Sequence, residues 1–165
     1  MSSTLDELKK LNHERLYSIW KIARAGDLDV LGDEDMRLGR IMLEHEEYHN
    51  QFEIADHLHD HEYDAETEVN PFLHIAFHQI VENQLEAKEP IEAYQFCNAM
   101  QKKKMSRHDV IHFIGSIIAG LIYACLKEQK AFDLERYKSL LKKYKNKNPK
   151  KLPNSLDNDF DWERE

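Results

Sequence analysis

The chain has 165 residues, enough for one domain with a sizeable core, and its 41% hydrophobic and 33% charged residues exclude a disordered chain. A formal net charge of -8 argues against nucleic-acid binding, because phosphate contacts need a basic surface. Five glycines and four prolines supply little turn chemistry for a β fold and point to helices.

The start, MSSTLDELKK, lacks the apolar run of a signal peptide. Thr4 to Glu7 has a capping-box pattern, and Leu5, Leu8, Leu16, Ile19, Trp20 and Ala23 then keep helical spacing up to Gly26, a natural stop. A second helix is expected from Gly32-Asp33 through Met36, Ile41 and Met42 to His49, reaching as far as Leu58. Residues 56–68, DHLHDHEYDAETE, are acidic and histidine-rich and read as a loop.

Asn70-Pro71 opens a third helix, since Asn caps well and Pro at the first position has no amide hydrogen to lose. It should stop before Glu89-Pro90. Pro90 opens a fourth helix, with Ile91, Tyr94, Cys97 and Met100 inward, and Lys102 to Lys104 form a solvated turn. Ser106 caps a long apolar fifth helix carrying Val110, Ile111, Ile114, Ile117, Ile118, Leu121, Ile122 and Cys125. Its stretch VIHFIGSIIAGLIYACL contains His112 and reads as a buried helix; no run long enough to span a membrane is expected. Asp133 caps a sixth helix with Leu134, Tyr137, Leu140, Leu141 and Tyr144. From Asn146 the apolar period is lost. The expected fold is an all-α, single-domain bundle of five to six helices over residues 1–146, with 147–165 a flexible tail on which Phe160 and Trp162 could dock. Cys97 and Cys125 form no Cys-x-x-Cys motif and read as reduced core thiols of a cytoplasmic protein.

The composition is unusual in its 10 histidines. Six of them form three His-x-x-x-His pairs: His45/His49, His74/His78 and His108/His112. Residues four apart on a helix differ by roughly 40° and sit one turn along, so each pair projects side by side. Glu82 extends the His74/His78 row by another turn. Imidazole nitrogen and carboxylate oxygen together suit zinc or iron. A lone histidine beside a core stripe is more often hydrogen-bonded than a ligand. Three pairs on three helices favour a metal site built from His45, His49, His74, His78, Glu82, His108 and His112. His59 and His61 belong to the acidic loop and read as solvent-exposed, and His13 and His57 have no evident partner. Asp109 points about 100° away from the His108 row and is discounted as a ligand. No Gly-rich phosphate loop, and so no organic cofactor motif, is present.

These same residues carry a resemblance. EHEEYH at 44–49, NPFLHIAFHQIVENQ at 70–84 and the His108/His112 pair resemble a bacterial family described as domain of unknown function 1841, whose members carry Glu-His-Pro-Glu-Tyr-His, Asn-Pro-Phe-Leu-His-x-x-x-His with a later Glu-x-Gln, and His-x-x-x-His. Trp20, Lys21 and Gly26 match a further upstream pattern, so the resemblance covers about residues 15 to 126. Glu46 stands where the family has proline, and Ser116 where many members have a glutamate one turn after the last histidine. The resemblance implies that the His/Glu set acts as a unit, with one ligand fewer here if that glutamate binds metal. It implies no activity.

Two functions follow. In the first, a divalent iron or zinc ion sits in the bundle, resembling by fold analogy hemerythrin-like iron proteins or DinB-like helical hydrolases. Redox chemistry, or hydrolysis by a metal-bound water, would follow, with Glu82 as ligand or general base and Tyr48 donating to a developing anion. In the second, the chain is a non-enzymatic interaction or structural protein with core histidines. Neither implies a nucleic acid or a membrane as partner.

Overall fold

Ser3 rather than Thr4 closes the first helix end. Its hydroxyl accepts from the Asp6 amide at 3.2 Å, and the Asp6 carboxylate accepts from the Ser3 amide at 3.0 Å. The helix that follows, α1 (Thr4–Ala25), stops at Gly26, whose φ of 85° is left-handed and costs a glycine nothing. α1 buries Leu16, Ile19, Trp20 and Ala23, while Leu5 and Leu8 on its first turns are exposed. Apolar spacing therefore began about three turns before packing did.

The computed structural model describes residues 3–160, which contain eight α-helices and no strand. After α1 come α2 (Asp33–Glu44), α3 (His49–Phe52), α4 (Pro71–Ala87), α5 (Ile91–Lys102), α6 (Arg107–Glu128), α7 (Leu134–Lys145) and α8 (Leu152–Asp159). The all-α expectation holds, with more helices than the expected five to six. Part of the excess comes from the expected second helix, which does not run on to Leu58. It breaks at His45 and continues as a 3-10 turn (Glu46–Tyr48), α3, and a 3-10 turn (Ala55–His57).

The chain falls into two compact units, Met1–Gln79 and Ile80–Glu165, with α4 contributing to each. In the first unit α1 packs on α2, on α3 and on the turn at Ala55–His57. Gly39 permits the close approach of α1 and α2: a Cβ there would lie 2.8 Å from Leu28 Cδ2 and 3.2 Å from Ala23 Cβ. His13, without an evident partner in the sequence, donates from Nδ1 to the Ala55 carbonyl at 2.8 Å and lies on Phe72. Asn70 caps α4 as expected, its Oδ1 accepting from the Phe72 and Leu73 amides at 3.0 and 3.1 Å.

In the second unit α5 packs on α6 and α7, and α6 on α7. α5 buries Ala93, Phe96, Cys97 and Met100 at helical spacing; Ile91, expected inward, is exposed on the first turn. Phe96 stacks on Phe113 with centroids 5.6 Å apart, and Phe113 meets Tyr144 edge-on at 5.5 Å. Ser106 and Asp133 cap α6 and α7, as their positions predicted. By length and composition α6 is apolar enough to cross a membrane, contrary to the expectation that no stretch is; half of its most apolar window is buried inside the protein. Cys97 and Cys125 are free thiols, the first buried and the second half-buried.

The region after Asn146, expected as a tail, contributes to the core as far as it is described. Leu152, Leu156 and Phe160 are buried, and Tyr144 donates to Asp159, which also pairs with Lys143 at 2.7 Å. The cause lies in spacing: three apolar residues four apart make one stripe, too short to stand out beside so many charges. Trp162 lies outside the described residues. Leu152→Ala should therefore destabilise the protein by roughly 2–5 kcal/mol. A urea midpoint equal to that of the wild type would show that this stripe does not pack.

Candidate metal centre

α2 ends because a histidine ring takes over from the backbone. In a continuing helix the His45 amide would bond the Ile41 carbonyl. Instead His45 Nδ1 lies 2.7 Å from that carbonyl, and the His45 amide turns to Met42 O at 3.3 Å. A carbonyl only accepts, so Nδ1 carries the hydrogen, and in the neutral form of the ring the Nε2 lone pair then faces His78. His49 does the same one turn on. Its Nε2 donates to Met42 O at 3.2 Å and Leu43 O at 3.3 Å. Three terminal carbonyls of α2 are thus satisfied by two imidazoles and one amide.

His45 is fully buried and His78 is 4% exposed. Their Nε2 atoms are 3.3 Å apart, with the rings nearly perpendicular. Two nitrogens at metal distances of about 2.0–2.1 Å and a tetrahedral angle would be about 3.3–3.4 Å apart. The pair therefore has the spacing of one edge of a tetrahedral site, and His45 has the backbone partner that orients a metal-binding imidazole. His74 lies edge-on to His45 at 4.9 Å between centroids and 5.3 Å from Tyr48. Tyr48 lies parallel to His45 at 6.0 Å. Burial, and then the Glu47 charge, raise the Tyr48 pKa, so its hydroxyl stays a donor.

In the second unit His108 and His112 lie with ring centroids 4.3 Å apart and offer ligand nitrogens within 4.8 Å of each other. His108 is exposed and His112 half-buried. One turn beyond, Ser116 donates to the His112 carbonyl at 2.9 Å.

The structure gives two of the expected ligands other work. Glu82 forms an ion pair with Arg107 at the start of α6. His49 spends Nε2 on carbonyls and packs its ring on Trp20 at 4.5 Å. Trp20 in turn donates from Nε1 to Glu53 at 2.9 Å, and Glu53 pairs with Arg24. Sequence reasoning missed this support. Its only signal was the matched Trp20, and nothing in residue type marked Glu53 or the Ile41 carbonyl. His61, expected to be solvent-exposed, is so, and pairs with Glu68 at 3.1 Å.

A family model described as Domain of unknown function (DUF1841) matches residues 10–143. No curated protein and no solved structure matches the chain significantly.

Hydrogen bonds from Arg24 and Trp20 hold the Glu53 carboxyl below its ordinary range. Because its folded pKa is depressed, its contribution is present above the unfolded value and is lost as pH falls through the folded one. Glu53→Gln should lower the urea midpoint at pH 7, and the gap to wild type should narrow at pH 3. An equal gap at both values would show that the carboxylate charge plays no part.

Proposed function

The chain belongs to the DUF1841 family, whose description assigns no activity, and from its own residues we propose that it is a metal-binding protein holding zinc or iron at its paired histidines, foremost the buried His45–His78 pair of the first unit. The observation that carries this reading is the buried His45–His78 pair. Its nitrogens have the spacing of ligands, and the Ile41 carbonyl turns one lone pair inward. In the second unit the His108/His112 pair likewise presents two ring nitrogens side by side.

In this reading the seven expected ligands divide by role. His74 packs against His45 and His78 and shapes their pocket. His49 closes the end of α2, and Glu82 neutralises Arg107. A pair of imidazoles leaves positions open on a zinc or iron ion, where bound water would become a nucleophile near neutral pH. Tyr48 would then serve as donor to a developing anion. Free Cys97 and Cys125 support a reducing, cytoplasmic location as part of the same proposal.

A metal that binds only the folded state adds about 3–4 kcal/mol at a hundred- to thousandfold excess over Kd. Chelation should therefore lower the melting temperature by on the order of 10 °C, and zinc or ferrous iron should restore it. His78→Ala should abolish this response, and His59→Ala in the acidic loop should not. A metal-free protein whose melting curve ignores both ions would leave the histidines as core polar groups of a non-enzymatic protein.

A further inference from the structure

The second unit carries a patch whose charge is opposite to that of the whole chain. The sequence has no acidic residue between Glu92 and Asp109, and none between Glu135 and Asp157. Those stretches contain Lys102, Lys103 and Lys104 at the end of α5, and Lys145, Lys147, Lys150 and Lys151 at and beyond the end of α7. The fold brings the two groups together. α5 packs on α7, and Lys103 Nζ donates to the Lys145 and Lys147 carbonyls at 2.8 Å each. Met105 and Lys150 line the same cavity, so the residues just after Lys104 lie beside the turn at Pro149–Lys151. Seven lysines thus gather where α5 and α7 end, in a chain of net charge -8.

Ordinary uses account for only part of this charge. Lysine at a helix C-terminus offsets the dipole, but each such end carries roughly half a negative charge, and two helices end here. Lys103 already answers the carbonyls at the end of α7. The nearby lysines that meet acids are not among the seven: Lys142 pairs with Glu92 at 3.4 Å and Lys143 with Asp159 at 2.7 Å. Lys147 donates to the Ser155 hydroxyl at 3.0 Å. Among the described residues no carboxylate pairs with Lys102, Lys104, Lys145, Lys150 or Lys151, and all of these but Lys145 are exposed. Asp109, which accepts from the Ser106 hydroxyl at 2.6 Å, and exposed Asp157 mark the edge of the patch. Lysines so placed repel one another, and an anionic partner relieves that repulsion.

We propose that this lysine end of the second unit is a docking surface for a short acidic segment of another protein. Charge at two ranges selects that partner. At contact, ammonium groups on flexible stems meet carboxylates as point charges and lack the planar fork that arginine offers to phosphate. Farther out, the net charge of the chain repels an extended polyanion, whereas a short acidic segment touches the patch alone. Residues 102–107 and 145–151 contain no aromatic side chain on which bases could stack. The surface uses none of the proposed metal ligands and stands apart from the metal reading.

A fluorescently labelled peptide of alternating Asp and Glu, titrated with the full chain and read by anisotropy, tests the proposal. Binding should be saturable. It should weaken at least tenfold as salt rises from about 0.01 to 0.15 M, where the Debye length falls from about 30 to 8 Å. A variant with Lys102→Glu, Lys104→Glu, Lys150→Glu and Lys151→Glu should lose at least tenfold in affinity, and Gln at the same four positions should lose affinity with less disturbance of the fold. A charge-matched variant with Lys9→Glu, Lys10→Glu, Lys21→Glu and Lys130→Glu, all at exposed sites, should lose less than about twofold at 0.15 M salt, where charges farther away than about 8 Å are screened. Equal losses in the two Glu variants, or no saturable binding by the wild type, would overturn the surface. Tighter binding of single-stranded RNA of the peptide's length, or of phosphatidylserine vesicles, would overturn the choice of partner.

Discussion

One hydrogen bond organises the first half of the molecule: His45 Nδ1 to the Ile41 carbonyl, at 2.7 Å. It ends α2 by replacing the backbone bond that would have continued the helix. It also settles the tautomer, so the ring's other nitrogen is a lone pair in a fully buried place. A buried lone pair needs a donor or a cation, and the structure offers His78 Nε2 at 3.3 Å. Removing the ring would take from the Ile41 carbonyl the donor that ends α2.

Around this bond the protein arranges support rather than charge. His49 repeats the device on the next two carbonyls, Trp20 covers His49, and Glu53 with Arg24 holds Trp20. The chain of contacts runs from the Arg24–Glu53 ion pair through the Trp20 indole to the half-buried His49 ring. Such a network fixes ring orientation, which is what a metal site requires of its second layer.

Much of the architecture was legible in the chain. Asn70, Ser106 and Asp133 cap helices where they were expected, because capping depends on one side chain and the next few amides. The break at His45 was not legible, since Glu44-His45-Glu46 reads as helix by propensity and only the ring's turn back onto Ile41 ends it. The packing of Leu152, Leu156 and Phe160 was hidden for a different reason: a short stripe among charged residues is marked only by its burial in the fold. For the site, spacing identified the His45, His78, His108 and His112 candidates. It could not foresee that Arg107 would claim Glu82 or that His49 would face carbonyls, because those partners come from residues 25 and 6–7 positions away.

X-ray absorption at the metal edge of the purified protein tests the central claim most directly. The account predicts zinc or iron at near-stoichiometric level, with nitrogen neighbours at about 2.0–2.2 Å, the outer-shell scattering of several imidazoles, and no sulfur. A spectrum dominated by sulfur or by water oxygen, or a protein that carries no metal after growth and reconstitution, would contradict it.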